Sequence, residues 1–252
     1  MPTALITGAT AGIGAGFARR LASDGFDLVL VARDTARLER TAAELHDRYG
    51  VATETLRADL STDEGLAAAE ERAGKGIDLL INNAGFGQRG VYLDVPVSDE
   101  IRMLRVHCEA VLRLTSAALP GMLERGRGGV INVASVAAFF SRGTYGASKA
   151  WVVSFSQAVM RDLGGRGVHV MALCPGFVHT EFHERAGMNM DGIPGFMWID
   201  QDLVIDTALR DLRRGVQVSI PSARYKAIVA LGKVVPRALA DRISSRAGRR
   251  FD

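Results

Sequence analysis

Residues 3–14 read Thr3-Ala4-Leu5-Ile6-Thr7-Gly8-Ala9-Thr10-Ala11-Gly12-Ile13-Gly14, a short apolar run that leads directly into a glycine-rich turn. A helical pattern follows this turn. A strand, a tight turn and a helix in this order begin a βαβ unit of a parallel sheet. The free N–H groups and partial positive charge at such a helix amino terminus suit a pyrophosphate. The alternative is a purely structural turn, because any tight connection of this kind can use glycine.

Short apolar runs alternate with helical patterns along the rest of the chain. The runs are rich in Val, Ile and Leu, as is typical of strands covered on both faces, and they comprise residues 4–7, 27–32, 51–56, 77–82, 129–134, 168–173 and 216–220. Helical patterns include residues 15–23, 35–49, 99–123 and 145–163. The alternation predicts an α/β fold with a doubly wound, Rossmann-type parallel sheet, whose ligands bind at the carboxyl ends of the strands.

Composition excludes several classes of protein. With 252 residues, of which 48% are hydrophobic, the chain is long enough for one α/β core. The two cysteines form no CxxC pair, which argues against a disulfide framework and a structural zinc site. The amino terminus lacks the pattern of a secretory signal, and no apolar run reaches spanning length, so we expect a cytoplasmic protein. Nucleic acid is not an expected partner, because basic and aromatic residues do not interleave.

The end of the second predicted strand bears on the choice of nucleotide. An acidic residue there would bind a ribose 2′-hydroxyl and favour NAD. The sequence instead has Ala32 followed by Arg33, whose guanidinium can pair with a 2′-phosphate. Asp34 is expected to cap the following helix. We therefore predict NADP, the alternative being that Arg33 is merely solvated.

A possible reacting group lies at the start of the last long helical pattern. Tyr145 and Lys149 are four residues apart and share one helix face. A nearby ammonium favours a phenolate, so Lys149 is expected to lower the pKa of Tyr145 towards a range useful for proton transfer. Ser135, at the end of a predicted strand, adds a hydroxyl for the substrate oxygen. Two ordinary helix residues are the alternative for the Tyr-Lys pair.

Six short motifs, each beside a predicted strand end, follow one another along the chain. With them the chain resembles the short-chain dehydrogenase/reductase family, in its single-domain branch of about 250 residues. The resemblance implies a nicotinamide cofactor and an oxidoreductase activity. The matching stretches are residues 7–14, Asp59-Leu60, Asn82-Asn83-Ala84-Gly85, Ser135, residues 145–149 and Pro175-Gly176-Phe177-Val178-His179-Thr180.

The resemblance also implies roles for the reacting residues. Tyr145 is the proton donor in reduction and the base in oxidation. Lys149 binds the nicotinamide ribose hydroxyls, and Ser135 holds the substrate oxygen. These roles agree with the chemistry, because negative charge grows on a carbonyl oxygen as hydride arrives, and two hydroxyl groups stabilise it.

The cofactor site is implied in the same way. Asp59 faces the adenine, residues 83–85 line the adenosine side, and Val178 and Thr180 hold the carboxamide. Together with Arg33, the expected cofactor residues are Gly8, Thr10, Gly12, Ile13, Gly14, Asp59, Leu60, Asn83, Ala84, Gly85, Tyr145, Lys149, Pro175, Gly176, Val178 and Thr180.

The chain departs from the family pattern at His107. The family usually has Asn in a stretch like Val-Asn-x-x-Ala, where it helps to hold a water of the proton relay, and residues 106–110 read Val-His-Cys-Glu-Ala. Two interpretations stay open. His107 replaces the relay Asn and adds a pH dependence, or it is a packed helix histidine beside a weakened relay. The loop between Ser135 and Tyr145 is also short, and Gly143 is expected to supply an unusual backbone angle.

The segment 181–203 resembles the family's substrate cover. It is apolar, rich in Met and interrupted by Gly, which favours a hydrophobic small-molecule or acyl substrate under a mobile lid. The alternative is packing on the core or on a partner subunit. His179 and His183 lie four apart, but their order does not match a zinc motif, and no metal site is expected.

We expect one oxidoreductase domain, residues 1–222, followed by a basic extension, residues 223–252. The extension has eight Lys and Arg against two Asp, a net charge of +6 within a chain of +3. Docking on the domain is favoured over contact with an anionic membrane or an acidic carrier. The family resemblance implies a homodimer or homotetramer, formed by the helices of residues 99–123 and 145–163.

The predicted function is therefore NADP(H)-dependent hydride transfer to or from a carbonyl or alcohol carbon. The alternative is an NADP-binding sensor or scaffold with little turnover, for which His107 is the supporting feature.

Overall fold

A parallel seven-stranded sheet forms the centre of the chain. The computed structural model describes residues 1–87, 92–140, 143–182 and 192–234, without the side chains of 233 and 234. The strand order of the sheet is β3-β2-β1-β4-β5-β6-β9. The strands β7 and β8 pair separately. The strands are β1 (Thr3–Thr7), β2 (Asp27–Ala32), β3 (Thr53–Arg57), β4 (Leu79–Asn82), β5 (Gly128–Val133), β6 (Val168–Leu173), β7 (Phe177–Val178), β8 (Trp198–Ile199) and β9 (Val218–Ser219).

Helices cover both faces of the sheet, as the doubly wound prediction requires. The helices are α1 (Gly12–Ser23), α2 (Thr35–Tyr49), α3 (Asp63–Ala73), α4 (Val97–Leu104), α5 (Ala110–Glu124), α6 (Gly143–Leu163), α7 (Gln201–Arg213) and α8 (Ala223–Val234). Successive residues of β1 alternate between the two resulting cores: Ile6 packs with α1, α2 and α7, and Leu5 packs with α3 and α5. The chain order reverses between β1 and β4, which is where ligands bind in such sheets.

The helical pattern of residues 99–123 is interrupted in the structure. A π-helical turn, Arg105–Glu109, separates α4 from α5. Such turns are rare, and they frequently occur at functional sites. His107 lies in this turn, and its side chain is almost completely buried. The predicted single helix is therefore wrong in detail, and the deviation concerns the residue that departs from the family pattern.

A buried polar network ties the sheet to two helices below the site. Asn82 Nδ2 donates to Asn132 Oδ1 at 2.8 Å and to Thr115 Oγ1 at 3.2 Å. Asn132 Nδ2 donates in turn to Ser156 Oγ at 2.9 Å. Buried polar groups of this kind fix one arrangement, because breaking one bond leaves its partner unsatisfied. The network sets α6, which carries Tyr145, against β4 and β5.

The beginning of the basic extension is docked on the domain. Tyr225 of α8 is buried; its hydroxyl donates to the carbonyl of Met197 at 2.8 Å and accepts from the N–H of Phe177 at 3.2 Å. Helix α8 therefore supports the small β7–β8 sheet. Residues 235–252 of the extension lie outside the described residues. Within the described ranges, no helix has both the length and the apolar character needed to cross a bilayer.

Candidate active site

The glycine-rich turn connects β1 to α1 by a close approach of backbone to backbone. Gly8 and Gly12 have φ angles of +66° and +50°, which residues other than glycine rarely adopt. A Cβ atom on Gly14 would lie 2.2 Å from the carbonyl oxygen of Gly8. The first bond within α1 is from Ala15 to Ala11, so the earlier N–H groups have no partner inside the helix. This arrangement fits the phosphates of a dinucleotide.

The last residue of β2 is not acidic, and a cation follows it. Ala32 ends the strand, and Arg33 follows with a side chain that is 63% exposed and 4.0 Å from Asp59. Burial alone would raise the pKa of Asp59, but hydrogen bonds from Ser61 and the charge of Arg33 lower it below its ordinary value. Asp34 accepts from the N–H of Arg37 at 3.0 Å, which confirms the predicted helix cap.

The segment after β4 is bound to the phosphate turn. The Thr7 hydroxyl accepts from the N–H groups of Asn83 and Ala84, both at 2.9 Å. Asn83 Nδ2 donates to the carbonyls of Thr7 at 2.9 Å and Gly8 at 3.3 Å. Asn83 therefore braces the loop with both its side-chain amide and its backbone N–H. Gly85 lies against His107: a Cβ on it would be 2.9 Å from Nε2.

The structure brings Ser135, Tyr145 and Lys149 into one cluster. Tyr145 and Lys149 stand on the first turns of α6, and Ser135 follows β5, near enough to the Tyr145 hydroxyl to oppose the rise of its pKa. Lys149 Nζ donates to the carbonyl of Val133 at 2.9 Å and lies 5.8 Å from the centre of the Tyr145 ring. Gly143 begins α6 with a φ of +58°, as expected for the short loop.

The pKa of Tyr145 shifts in the direction opposite to the prediction from sequence. Desolvation raises the pKa of Tyr145 to about 12, against the opposing effect of the Ser135 hydrogen bond. Desolvation also lowers the pKa of Lys149 to about 8. The expected lowering of the Tyr145 pKa is wrong because desolvation of the buried hydroxyl raises it. The Lys149 ammonium donates to the carbonyl of Val133. Burial therefore favours a protonated phenol.

His107 forms hydrogen bonds with both of its ring nitrogens. Nε2 accepts from the N–H of Phe86 at 3.2 Å, so the ring proton lies on Nδ1, which is 2.9 Å from Ser148 Oγ. Ser148 Oγ donates to the carbonyl of Tyr145 at 2.8 Å. Burial, followed by the charge of Lys149, holds the pKa of His107 well below 6.5. His107 is thus a neutral brace between the β4 segment and the backbone of Tyr145.

The segment after β6 returns to the phosphate turn. The carbonyl of Pro175 accepts from the N–H of Val136 at 3.0 Å, next to Ser135. Gly176 lies directly under the ring of Tyr225, where a Cβ would be 2.1 Å from the ring. Val178 is buried, and the Thr180 side chain would lie 3.1 Å from a Cβ on Gly12. Of the two predicted carboxamide-binding residues, Thr180 thus lies beside the start of α1.

Aromatic side chains border the cluster on the substrate side. The Phe182 ring lies 6.0 Å from the Tyr145 ring, between centres. Trp198 lies 5.9 Å from Phe177 and is stacked on His179 at 3.8 Å. Residues 183–191, which include His183, lie outside the described residues. The predictions about the pair His179 and His183 and about the middle of the lid therefore stay predictions.

A family model described as short chain dehydrogenase matches residues 2–191. The chain belongs to the short-chain dehydrogenase/reductase family. The match confirms the family resemblance that the motifs of the sequence indicate.

Individual relatives agree with this membership. A short-chain dehydrogenase from Sphingobium yanoikuyae, solved in complex with NADPH, is 38% identical with a TM-score of 0.84, over 92% of this chain and 94% of that one. A bulky-bulky ketone specific alcohol dehydrogenase from Comamonas testosteroni is 31% identical with a TM-score of 0.80, over 99% and 94%. The very-long-chain 3-oxoacyl-CoA reductase of Anas platyrhynchos is 31% identical over 75% of this chain, and the match spans only 63% of that protein.

Four residues of the site were not predicted from the sequence. Ser148 and Phe86 hold His107, and Arg37 and Glu181 form an ion pair across 144 positions of the chain. Ser148 lies inside the Tyr-x3-Lys motif, one residue before Lys149, so its place in α6 was available as a signal. No local pattern marks the other contacts, because they form only when distant segments meet.

The neutral, buried imidazole of His107 predicts a pH dependence of stability. Below pH 6.5 the imidazole of His107 binds a proton in the unfolded chain but not in the folded protein, because its pKa is lower there. The contribution of His107 to the free energy of unfolding is therefore fully present above pH 6.5, and it is lost as the pH falls towards the pKa of the folded state. In His107→Asn this effect is absent. The free energy of unfolding of the wild type, relative to the variant, should decrease below pH 6.5 by up to about 1.4 kcal/mol per pH unit. Urea denaturation from pH 7 to 5 measures it, and a pH-independent difference would contradict a neutral imidazole.

Proposed function

We propose that the protein is an NADP(H)-dependent reductase of bulky, apolar ketones or aldehydes. The observation that carries the proposal is the cluster of Ser135, Tyr145 and Lys149 at the carboxyl edge of a sheet whose first turn fits a dinucleotide's phosphates. Bound NADPH supplies the hydride. The protein supplies the orientation of the carbonyl and the proton that its oxygen needs.

The protonation states of the cluster suit the reductive direction. A Tyr145 hydroxyl with a pKa of about 12 is protonated at neutral pH, and therefore acts as a donor towards the substrate oxygen. Ser135 donates a second hydrogen bond to the same oxygen. As negative charge grows on that oxygen, Tyr145 gives its proton to it, and Ser135 continues to donate its hydrogen bond. His107 keeps the backbone of Tyr145 in place through Ser148 and transfers no proton, since both its ring nitrogens are engaged in hydrogen bonds.

Bulky, apolar substrates are supported by the surroundings of the cluster and by the relatives. Phe182 lies over Tyr145, and Phe177, Met197 and Trp198 form the neighbouring wall held by α8. A bulky-ketone alcohol dehydrogenase and a very-long-chain 3-oxoacyl-CoA reductase are among the proteins that this chain is similar to. Apolar and aromatic linings with few polar groups are typical of sites for such ligands.

The proposed preference for NADP rests on Ala32 and Arg33, so an acidic residue at position 32 should shift the preference towards NAD. Wild type should bind NADPH more tightly than NADH. Ala32→Asp places a carboxylate where the 2′-phosphate would lie, so NADPH affinity should fall by about tenfold or more, and the ratio of the two affinities should move towards NADH. Nicotinamide fluorescence titration measures both, with Ala32→Asn as an uncharged control of similar size. Equal affinities in the wild type, or an unchanged ratio in Ala32→Asp, would contradict the proposed selectivity.

Replacement of the Tyr145 hydroxyl separates the reductase from the alternative sensor function. Tyr145→Phe keeps the ring but removes the proton, so kcat for an apolar ketone should fall by about 10²- to 10⁴-fold while NADPH affinity changes little. Tyr49→Phe, on helix α2, is the matched control and should keep the wild-type rate. A wild-type rate in Tyr145→Phe would overturn the mechanism. Tight NADPH binding by wild type without turnover on a panel of apolar ketones and aldehydes would favour the sensor.

A further inference from the structure

Three consecutive residues after β7 contact three different parts of the cofactor cleft. Thr180 lies against Gly12 at the start of α1. Glu181 is paired with Arg37 in the first turn of α2. The ring of Phe182 lies beside the ring of Tyr145. The segment 180–182 therefore joins the phosphate turn, the nucleotide side of the sheet and the reacting tyrosine over the length of three residues.

The contact between Arg37 and Glu181 is bidentate. Arg37 Nη2 donates to Glu181 Oε1 at 2.7 Å, and Nη1 donates to Oε2 at 3.1 Å. Nη2 also lies 3.4 Å from the carbonyl oxygen of Thr10 in the phosphate turn. The guanidinium thus touches the turn and the carboxylate together. Bidentate pairs of this kind add directional specificity to the charge interaction.

The pair joins the two halves of the sheet. Arg37 follows β2, on the adenosine side of the switch point, and Glu181 follows β6 and β7, on the side of the reacting cluster. Thr10, which Arg37 also contacts, belongs to the turn between them. The side chains of Arg37 and Glu181 are 31% and 43% exposed, so the pair lies at the open rim of the cleft and can separate without loss of core packing.

We propose that Arg37 and Glu181 form a latch across the cofactor cleft, closed over the phosphate turn, which slows cofactor release and holds Phe182 beside Tyr145. This inference rests on the proposed function, since it requires a dinucleotide in the cleft. Arg37 and Glu181 are positioning residues in this account. Release of the cofactor requires the ion pair to open, and rupture of the pair frees the segment that begins the substrate cover.

The latch is tested by a double-mutant cycle on cofactor release. Arg37→Gln, Glu181→Gln and the double variant are compared with wild type by stopped-flow displacement of bound NADPH and of bound NADH. Each single variant should release both cofactors about three- to tenfold faster, and the double variant no faster than the singles, because either change removes the same bond. Glu71→Gln on α3, which breaks the exposed pair of Glu71 with Lys75, is the control and should release both cofactors at the wild-type rate.

Two results would overturn the latch. Release at the wild-type rate in both single variants, or effects that multiply in the double variant, would show that the pair does not act as one bond. A change confined to NADPH, with faster release in Arg37→Gln and slower release in Glu181→Gln, would show instead that Arg37 binds the 2′-phosphate itself. Failure of the wild type to bind either nucleotide would refute the proposed function, whereas binding with unaltered release in the variants would refute only the latch.

Discussion

The close approach of α1 to the end of β1 is the constraint on which the cofactor side of the molecule depends. No side chain fits at Gly14, whose Cβ would lie 2.2 Å from the carbonyl of Gly8, and Gly8 itself adopts a positive φ. Thr7 and Asn83 then bond the turn to the segment after β4. The amino terminus of α1, the switch point of the sheet and the β4 segment are consequently held together, and the helix dipole points at the place proposed for the cofactor's phosphates.

Burial determines the chemistry on the other side of the cleft. Desolvation keeps Tyr145 protonated, brings the pKa of Lys149 down to about 8 and keeps His107 neutral. These groups are arranged by hydrogen bonds to the backbone: Lys149 to Val133, and His107 through Ser148 to Tyr145. The π-helical turn gives His107 its position, which an uninterrupted helix would alter. Electrostatics and backbone geometry thus act on the same few atoms.

Much of the fold could be predicted from the sequence because strand and helix periodicity is local information. The runs 27–32 and 168–173 coincide with β2 and β6, and the capping by Asp34 was as expected. The strand in the last predicted run, 216–220, comprises only Val218–Ser219, because β9 lies at the edge of the sheet and pairs with β6 through two residues. The resemblance placed Ser135, Tyr145 and Lys149 in one site, and the structure brings them together. It did not reveal the direction of the Tyr145 pKa shift, which depends on burial, or the bond of Arg37 to Glu181, which depends on tertiary contact.

Transfer of the cofactor's own hydrogen to carbon is the central claim, and isotopic labelling tests it most directly. The purified protein would be incubated with a bulky apolar ketone and NADPH deuterated at C4 of the nicotinamide, in separate experiments with each of the two C4 diastereomers. Mass spectrometry of the alcohol should find one deuterium on the carbinol carbon with one diastereomer and none with the other, because the nicotinamide is held with one face towards the substrate. Alcohol without deuterium from either diastereomer would contradict direct hydride transfer.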